Sequence, residues 1–517
     1  MPRFACFTWT MALVLGWCTQ NAAAADGAGD RVSRERVQAA IAKIEKLAEQ
    51  TIKSNGAPGI AITVVHQDEV IYSKGFGVRE AGKPELVDAD TVFQIASMSK
   101  PLTSTVLARM VGDGEVGWDD RIADHDPGFV MYEPYVTHEV RLRDMLCHRS
   151  GLPDHAGDLL EDMGYTKDEI LHRLRYQPPS SSFRAGYAYT NFGFSEAGYA
   201  AAKAVDADWN AVAADRLFKP LGMNSTSYQF ADYDKAKNRA KIHVLVDGKW
   251  TPKYTRQPDA QAPAGGASST IKDLAQWMRL HLAEGKFNGK EVIKADALAE
   301  THTPQFVTGF TPAEGRIGGY GLGWNVNDER DGRITLNHSG EFSLGVRSQV
   351  ALIPIEELGI TVLSNGAPTG VPEGISQSFF DYVLDGELQR DWMTLANQKF
   401  EQMTQDDQDQ LADYSHPPSD RAAPLNLKSY AGNYQNDLYG VIEIAEKQGG
   451  LVLRSGPQLN EFKLRHWDRD LFTYEPTGES AAGTAGVMFT IGPEGTAERV
   501  SVENLNLNGQ GVFEKAD

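Results

Sequence analysis

Val37, Ile41, Ile44, Ala48 and Ile52 recur at helical spacing with Glu and Lys on the opposite face, which predicts an amphipathic helix over residues 37–52. The period then shortens. Residues 59–77, GIAITVVHQDEVIYSKGFG, alternate apolar and polar positions on either side of a polar turn and read as a β-hairpin. An apolar run opened by Ser97 continues to Met110 as a further helix. Residues 268–282, SSTIKDLAQWMRLHL, start with a capping box from Thr270 to Asp273 and keep helical period through Leu274, Met278 and Leu282. Residues 320–326, 345–354 and 359–365 are β-like, and residues 374–384 return to helix. Strands therefore gather at both ends of the first 385 residues, so that one sheet can draw on both.

After residue 386 the pattern changes. Residues 387–424 hold an acidic polar helix running into HPPSDRAAP, a linker by composition. Residues 425–517 contain GVIEIAE, GLVLRS, EFKLRHW, LFTYEP, GVMFTI and RVSVENL between Gly, Pro and Asn turns. They predict about eight strands and no helix, a small antiparallel barrel or sandwich.

Composition narrows the class. A chain of 517 residues with 41% hydrophobic and 23% charged residues reads as an ordinary globular protein of two or more domains. Its net charge of -20 repels nucleic acid and anionic membrane, so neither is an expected partner. In residues 1–25, Arg3 precedes MALVLGW and a small-residue exit, NAAAAD, which predicts a signal peptide cleaved near Ala25 and a periplasmic or secreted protein. Cys18 competes as a lipid attachment site, although Trp17 stands where such sites hold a small residue. No later segment reaches the ~18 to 20 apolar residues of an integral membrane span. Cys6 and Cys18 fall in the removable segment, and Cys147 has no partner for an internal disulfide. CHRSGLPDH, from residue 147, lacks metal-ligand spacing, so Cys147 reads as a small buried residue.

The stretch FQIASMSKPLTSTVLARM, residues 93–110, carries more chemistry than a packing helix needs. Ser97 and Lys100, three apart, share a helical face with Cβ atoms ~5–6 Å apart, so the amine reaches the hydroxyl. A serine becomes a nucleophile once a neighbouring base takes its proton. Burial beside the positive helix end lowers the affinity of Lys100 for its own proton. Pro101 forces the helix to begin around it, leaving Ser97 at an irregular entrance with its N–H free for a substrate oxygen, half of an oxyanion hole. Ser99 reads as a helix-start hydroxyl. S-x-x-K recurs at Ser269 and Lys272, Y-x-N occurs at Tyr189/Asn191 and Tyr434/Asn436, and H-x-G at His155/Gly157 and His338/Gly340. Only Ser97, Tyr189 and His338 run in the order S-x-x-K, Y-x-N, H-x-G; Ser269 reads as part of a cap.

With LRDMLCHRSGLPDH, AYTNFGFSEAGY, KPLGMNST, APAGGASSTIKDLAQW, YGLGW and NHSGEFSLGVRSQVALIP, these motifs make the chain similar to the serine β-lactamase and penicillin-binding-protein superfamily over residues 60–384, in particular class C β-lactamases, D-peptidases and related esterases. The resemblance implies an α+β fold: an antiparallel sheet flanked by helices plus a helical subdomain, followed by a small all-β barrel. The implied organisation is a signal peptide (1–25), a hydrolase domain (26–386), a linker (387–424) and a barrel (425–517). Ser97, Lys100 and Tyr189 become the catalytic residues, the Tyr189 phenolate being favoured by Lys100. Asn191, His338, Ser339 and Gly340 bind substrate, and the N–H of Glu341, on an edge strand, completes the oxyanion hole. No metal or organic cofactor is implied. Relatives that need a substrate carboxylate place lysine where His338 stands, so the expected substrate is a small molecule or short peptide, with peptide amides, D-residue-containing or non-standard, favoured. An esterase, a β-lactamase and a non-hydrolysing acylated receptor are the alternatives. LKSYAGNYQND, from residue 427, is similar to a lipocalin-like accessory domain that caps clefts or mediates homo-oligomers.

Overall fold

The computed structural model describes residues 31–311, 316–328 and 332–516; the expected signal segment, with Cys6 and Cys18, lies outside them. The first helix, α1 (Arg34–Lys53), starts on Ser33, whose hydroxyl accepts from the Arg36 N–H, and buries Val37, Ile41, Ile44 and Ala48. The hairpin of β1 (Gly59–His66) and β2 (Glu69–Gly77) follows, as its alternation predicts. Next come α2 (Ser99–Asp113), α3 (Asp158–Asp162), α4 (Asn191–Ala204) and α5 (Ile271–Leu282), among shorter helices that form the helical region. The remaining sheet strands are β3 (Phe306–Thr311), β4 (Arg316–Tyr320), β5 (Asn325–Asp328), β6 (Ile334–Phe342), β7 (Val346–Ile353) and β8 (Leu358–Ser364). All eight join in the order β2-β1-β8-β7-β6-β5-β4-β3.

The two ends of the chain region meet at one seam, where Ile60 lies opposite Ser364 and His66 opposite Leu358 in antiparallel register. Alternation along β1 serves both faces. Ile60, Ile62 and Val64 pack with α1 and with α6 (Val371–Leu384), while Ala61 and Val65 join the larger core that contains Met278 of α5. The expected strand over residues 320–326 is instead the end of β4, a turn, and the start of β5. Gly323 makes that turn at φ 82°, and a Cβ there would lie 2.9 Å from the Lys100 carbonyl oxygen. The capping box at α5 is half formed: the Thr270 hydroxyl accepts from the Asp273 N–H, but the Asp273 carboxylate accepts from Ser225 N–H and the Thr226 hydroxyl.

The acidic helix of the linker segment, α7 (Trp392–Gln408), packs against α6; Asn397 accepts the Gly370 N–H at 2.8 Å, and Phe400 lies 3.6 Å beneath the Arg347 guanidinium. Beyond it, β9 (Gly432–Asn436) through β16 (Val512–Lys515) close into an eight-stranded antiparallel barrel, Tyr434 of the first strand lying opposite Lys515 of the last. Tyr430, Tyr434, Phe472, Phe489 and Phe513 fill it. Among the described residues no helix is long and apolar enough to cross a membrane.

Candidate active site

A 3-10 turn over residues 96–98 delivers Ser97 to the start of α2. Ala96 adopts φ 46°, a left-handed conformation that costs a residue with a Cβ about 1–2 kcal/mol, so the turn is held from outside. The buried Ser99 hydroxyl donates to the Ala96 carbonyl at 2.6 Å and accepts from the Ala267 N–H at 2.9 Å. From the sheet, Ser348 donates to the Ile95 carbonyl at 2.8 Å. Gly340 of β6 lies so close that a Cβ would sit 2.1 Å from the same oxygen. Pro101 falls in the first turn of α2, where a missing N–H leaves no bond unmade.

Lys100 is fully buried, with Nζ 3.2 Å from Ser97 Oγ. The amine also donates to Asn191 Oδ1 at 2.7 Å and to the Ala264 carbonyl at 3.2 Å, and lies 4.3 Å from the Tyr189 ring centroid. Burial outweighs the field of Asp158 and brings Lys100 down to about 7, so a neutral amine is accessible near neutral pH. Asn191, the first residue of α4, joins two groups: its Nδ2 donates to Asp158 Oδ2 at 2.8 Å. The same oxygen lies 2.8 Å from His155 Nδ1. Burial opposes charge on His155, but the hydrogen bond and charge of Asp158, with Asp154, raise the ring above its ordinary value; its side chain is 59% exposed, and solvent tempers that rise. A continuous chain thus runs from Ser97 through Lys100, Asn191 and Asp158 to a protonated imidazole at the surface.

Tyr189 lies two residues before the start of α4, with its ring against the Lys100 amine. Burial pushes its phenol far above the ordinary range, and the influence of Ser97 offsets only part of this. The expected phenolate is therefore corrected: in the resting site Tyr189 is a neutral phenol that offers Lys100 its ring face. His148 fixes this segment. It accepts the Thr190 N–H at Nδ1 (3.1 Å) and the Ala188 N–H at its carbonyl (2.9 Å), and its ring lies 4.5 Å from that of Tyr189.

His338 is buried on β6, 6.5 Å from Tyr189 between ring centroids. Its Nδ1 donates to the Ser339 carbonyl at 2.7 Å, which leaves Nε2 to accept from the Tyr320 hydroxyl at 3.1 Å. Burial and the nearby Lys100 charge take it down to about 3, a neutral imidazole with no cation for a substrate carboxylate. Ser339 is half-buried, and Gly340 is pressed on the Ser97 turn. Glu341 is not on an edge strand, a second correction: β6 lies inside the sheet, between β7 and β5, with β5 pairing to residues 334–337. The Glu341 carboxylate is engaged by Arg347.

The competing motifs scatter. The Ser269 hydroxyl bonds Thr226 at 2.8 Å, Lys272 pairs with Asp90 at the surface, and Tyr434 is inside the barrel. His155, set aside with its H-x-G, does line the site, whereas Asp158, His148, Tyr320 and the Ala264 carbonyl carry no spacing signal of their own. Burial pushes the Cys147 thiol up to about 12, an inert group. Among the described residues no cluster of three or more His, Cys, Asp or Glu side chains is arranged to hold a metal.

A buried lysine against a serine at a helix entrance, facing a sheet strand across from Y-x-N, defines a serine acyl-transfer hydrolase. Residues 44–376 match the Beta-lactamase family, and the protein belongs to it as a serine hydrolase. Residues 416–514 match DUF3471, a domain of unknown function. The chain is 25% identical over 494 residues to unguisins hydrolase ungD' of Aspergillus campestris, covering 88% of each. It is 28% identical to Penicillin-binding protein 4 of Amycolatopsis lactamdurans, over 62% of this chain and 83% of that one. Among solved structures, the octameric penicillin-binding protein homologue from Pyrococcus abyssi superposes with a TM-score of 0.59 at 19% identity, over 90% of this chain and 98% of that one. The class C β-lactamase from Rhodobacter sphaeroides gives 0.54 at 20% identity, over 67% and 99% respectively. These structures share the fold.

Proposed function

We propose that the protein is an exported peptidase that cleaves amide bonds of short peptides, D-residue-containing or otherwise non-standard, through an acyl-enzyme on Ser97. The observation that carries this reading is the fully buried Lys100 amine 3.2 Å from the Ser97 hydroxyl. Neutral Lys100 takes the Ser97 proton as Oγ attacks the substrate carbonyl. The N–H groups of Ser97 and Glu341 receive the oxyanion, an arrangement worth about 3–4 kcal/mol per donor. Tyr189, protonated, passes a proton to the leaving amine and recovers it from the water that later attacks the ester, while the Lys100 ammonium returns its proton to Ser97 Oγ as the ester breaks. Asn191 holds Lys100 and orients the substrate amide; His338, Ser339 and Gly340 line the bound peptide.

Neutral His338 argues for substrates that present no carboxylate at that position, which ranks peptides first, esters second and β-lactams third. Relatives named as an unguisins hydrolase, and a SurE structure containing D-Leu, support the non-standard peptide class. The segment 1–25 supports export, and the octameric homologue supports a homo-oligomer. The test is intact-mass spectrometry after a fluorophosphonate and after a penicillin, joined to a screen of p-nitrophenyl esters, D- and L-aminoacyl anilides and a chromogenic cephalosporin. A transient Ser97 adduct with turnover of D-aminoacyl anilides is expected. Turnover of the cephalosporin alone overturns the peptidase reading, and a permanent penicillin adduct without turnover identifies a receptor.

A further inference from the structure

The barrel meets the hydrolase through the Tyr439 carbonyl, which accepts from the Tyr165 hydroxyl, through the Asp437 and Leu438 carbonyls, which accept from Arg173, and through the loop joining β13 (Leu471–Tyr474) and β14 (Ala485–Ile491). Asp162, the last residue of α3, accepts from the backbone N–H groups of Glu479 and Ser480, each at 2.8 Å. The Glu479 carboxyl accepts the Ser343 N–H just beyond β6, and the Glu479 carbonyl accepts the Ser343 hydroxyl at 2.7 Å. Gly478 permits this approach: its φ is 128°, and a Cβ would stand 2.3 Å from the Asp162 carboxyl carbon. Beneath the loop, Arg256 is 6% exposed, pairs with Glu161 at 2.6 Å and reaches Glu479 at 3.7 Å. Its guanidinium lies 4.9 Å over the ring of Phe342, the last residue of β6.

Both anchor points end elements that carry the site. α3 begins at Asp158, which holds Asn191 and through it Lys100, and β6 carries His338, Gly340 and Glu341 past Ser97. A helix of five residues has no stability of its own, so α3 lies where its ends are gripped. The barrel's filled interior points the same way. The cavity between the barrel and the hydrolase, lined by Leu159, Met163, Phe462 and Tyr474, is about 30 Å³, too small for an organic substrate.

We propose that the C-terminal barrel is a positioning element of the active site, whose Glu479 loop, by gripping Asp162 and Ser343 together, sets the Asp158–Asn191–Lys100 chain and the 340–341 backbone at a fixed span across Ser97. This inference rests on the acyl-enzyme reading. Loss of the grip lets the two sides of the site separate, which lowers the rate of acyl transfer more than it weakens binding.

Full-length wild type is compared with Glu479→Ala, Asp162→Ala, Gly478→Val and Glu479→Gln, well below their thermal midpoints, by ester turnover and by fluorophosphonate labelling of Ser97. The first three are expected to lose about tenfold or more in kcat, with KM changed less than about threefold and labelling slowed in parallel. Glu479→Gln, which keeps an acceptor for Ser343, is expected to stay within about twofold of wild type. Unchanged kcat and labelling in Glu479→Ala and Asp162→Ala overturns the proposal, whether or not Gly478→Val folds. Equal losses in Glu479→Ala and Glu479→Gln overturn it too, because the grip would not depend on the acceptor. A wild type that never labels at Ser97 sinks the acyl-enzyme reading and this inference with it.

Discussion

At the scale of single residues, the proton affinity of Lys100 is the controlling quantity. The amine works as a base when neutral, so kcat/KM is expected to rise with pH through about 7, measurable as the acid limb of the pH–rate profile. The Asp158 carboxylate favours the ammonium, and Asp158→Asn keeps an acceptor for Asn191 while removing that charge. The limb is then expected to move to lower pH by about one unit; a limb that stays put assigns it to another group. Ser97→Ala is expected to abolish hydrolysis, whereas Ser269→Ala, which loses the bonds to the Thr226 hydroxyl and the Thr270 carbonyl, retains activity at a cost of about 1 kcal/mol in a urea melt. Equal activity losses would mean the wrong serine has been chosen. The Ser97–Lys100 pair is legible in the sequence because helix geometry fixes what lies three residues on. The Asn191–Asp158 bond, spanning 33 residues of irregular chain, obeys no spacing rule and required the fold. The protonation of Tyr189 also escaped the sequence, since it depends on how completely neighbouring elements exclude water.

At the scale of elements, the decisive contact is β6 against the turn that holds Ser97. Gly340→Ala would place a methyl carbon 2.1 Å from the Ile95 carbonyl oxygen and 2.5 Å from the Ser348 hydroxyl. Neither neighbour can yield without moving the turn. The variant is expected to lose about 1–3 kcal/mol in stability, read by chemical denaturation, together with most labelling of Ser97. Full labelling at wild-type rate would show that strand and turn move independently. Local periodicity made α1, the β1–β2 hairpin, α5 and the barrel strands readable, because each buries one face against its own domain. It failed where tertiary contact overrides it. YGLGW breaks into two strands because Gly323 must pass over α2, and Asp273 leaves its capping partner for Ser225 and Thr226.

At the scale of the whole molecule, the barrel interface gathers Glu161, Asp162 and Glu479 around one guanidinium, Arg256. Burial, against the pull of Arg256, raises Glu479 to about 7. A carboxyl raised in the folded state gives stability that is complete below its unfolded value of 4.5 and is lost as pH climbs through about 7. Glu479→Gln lacks this loss. Its Tm relative to wild type is expected to be higher at pH 8 than at pH 5 by about 2–4 °C, and a pH-independent difference would remove Glu479 from the balance.

The seam between β1 and β8 sets a timetable for the living chain. Ile60 waits for Ser364, so the central strands stay incomplete while some three hundred residues are still being translated, a delay of about 15–60 s at ordinary ribosome speeds. Through that interval the nucleophile is an inert hydroxyl on an unfinished scaffold. On the acyl-enzyme reading, the nascent polypeptide is expected to show no hydrolytic activity until the strand ending at Ser364 has been made and paired.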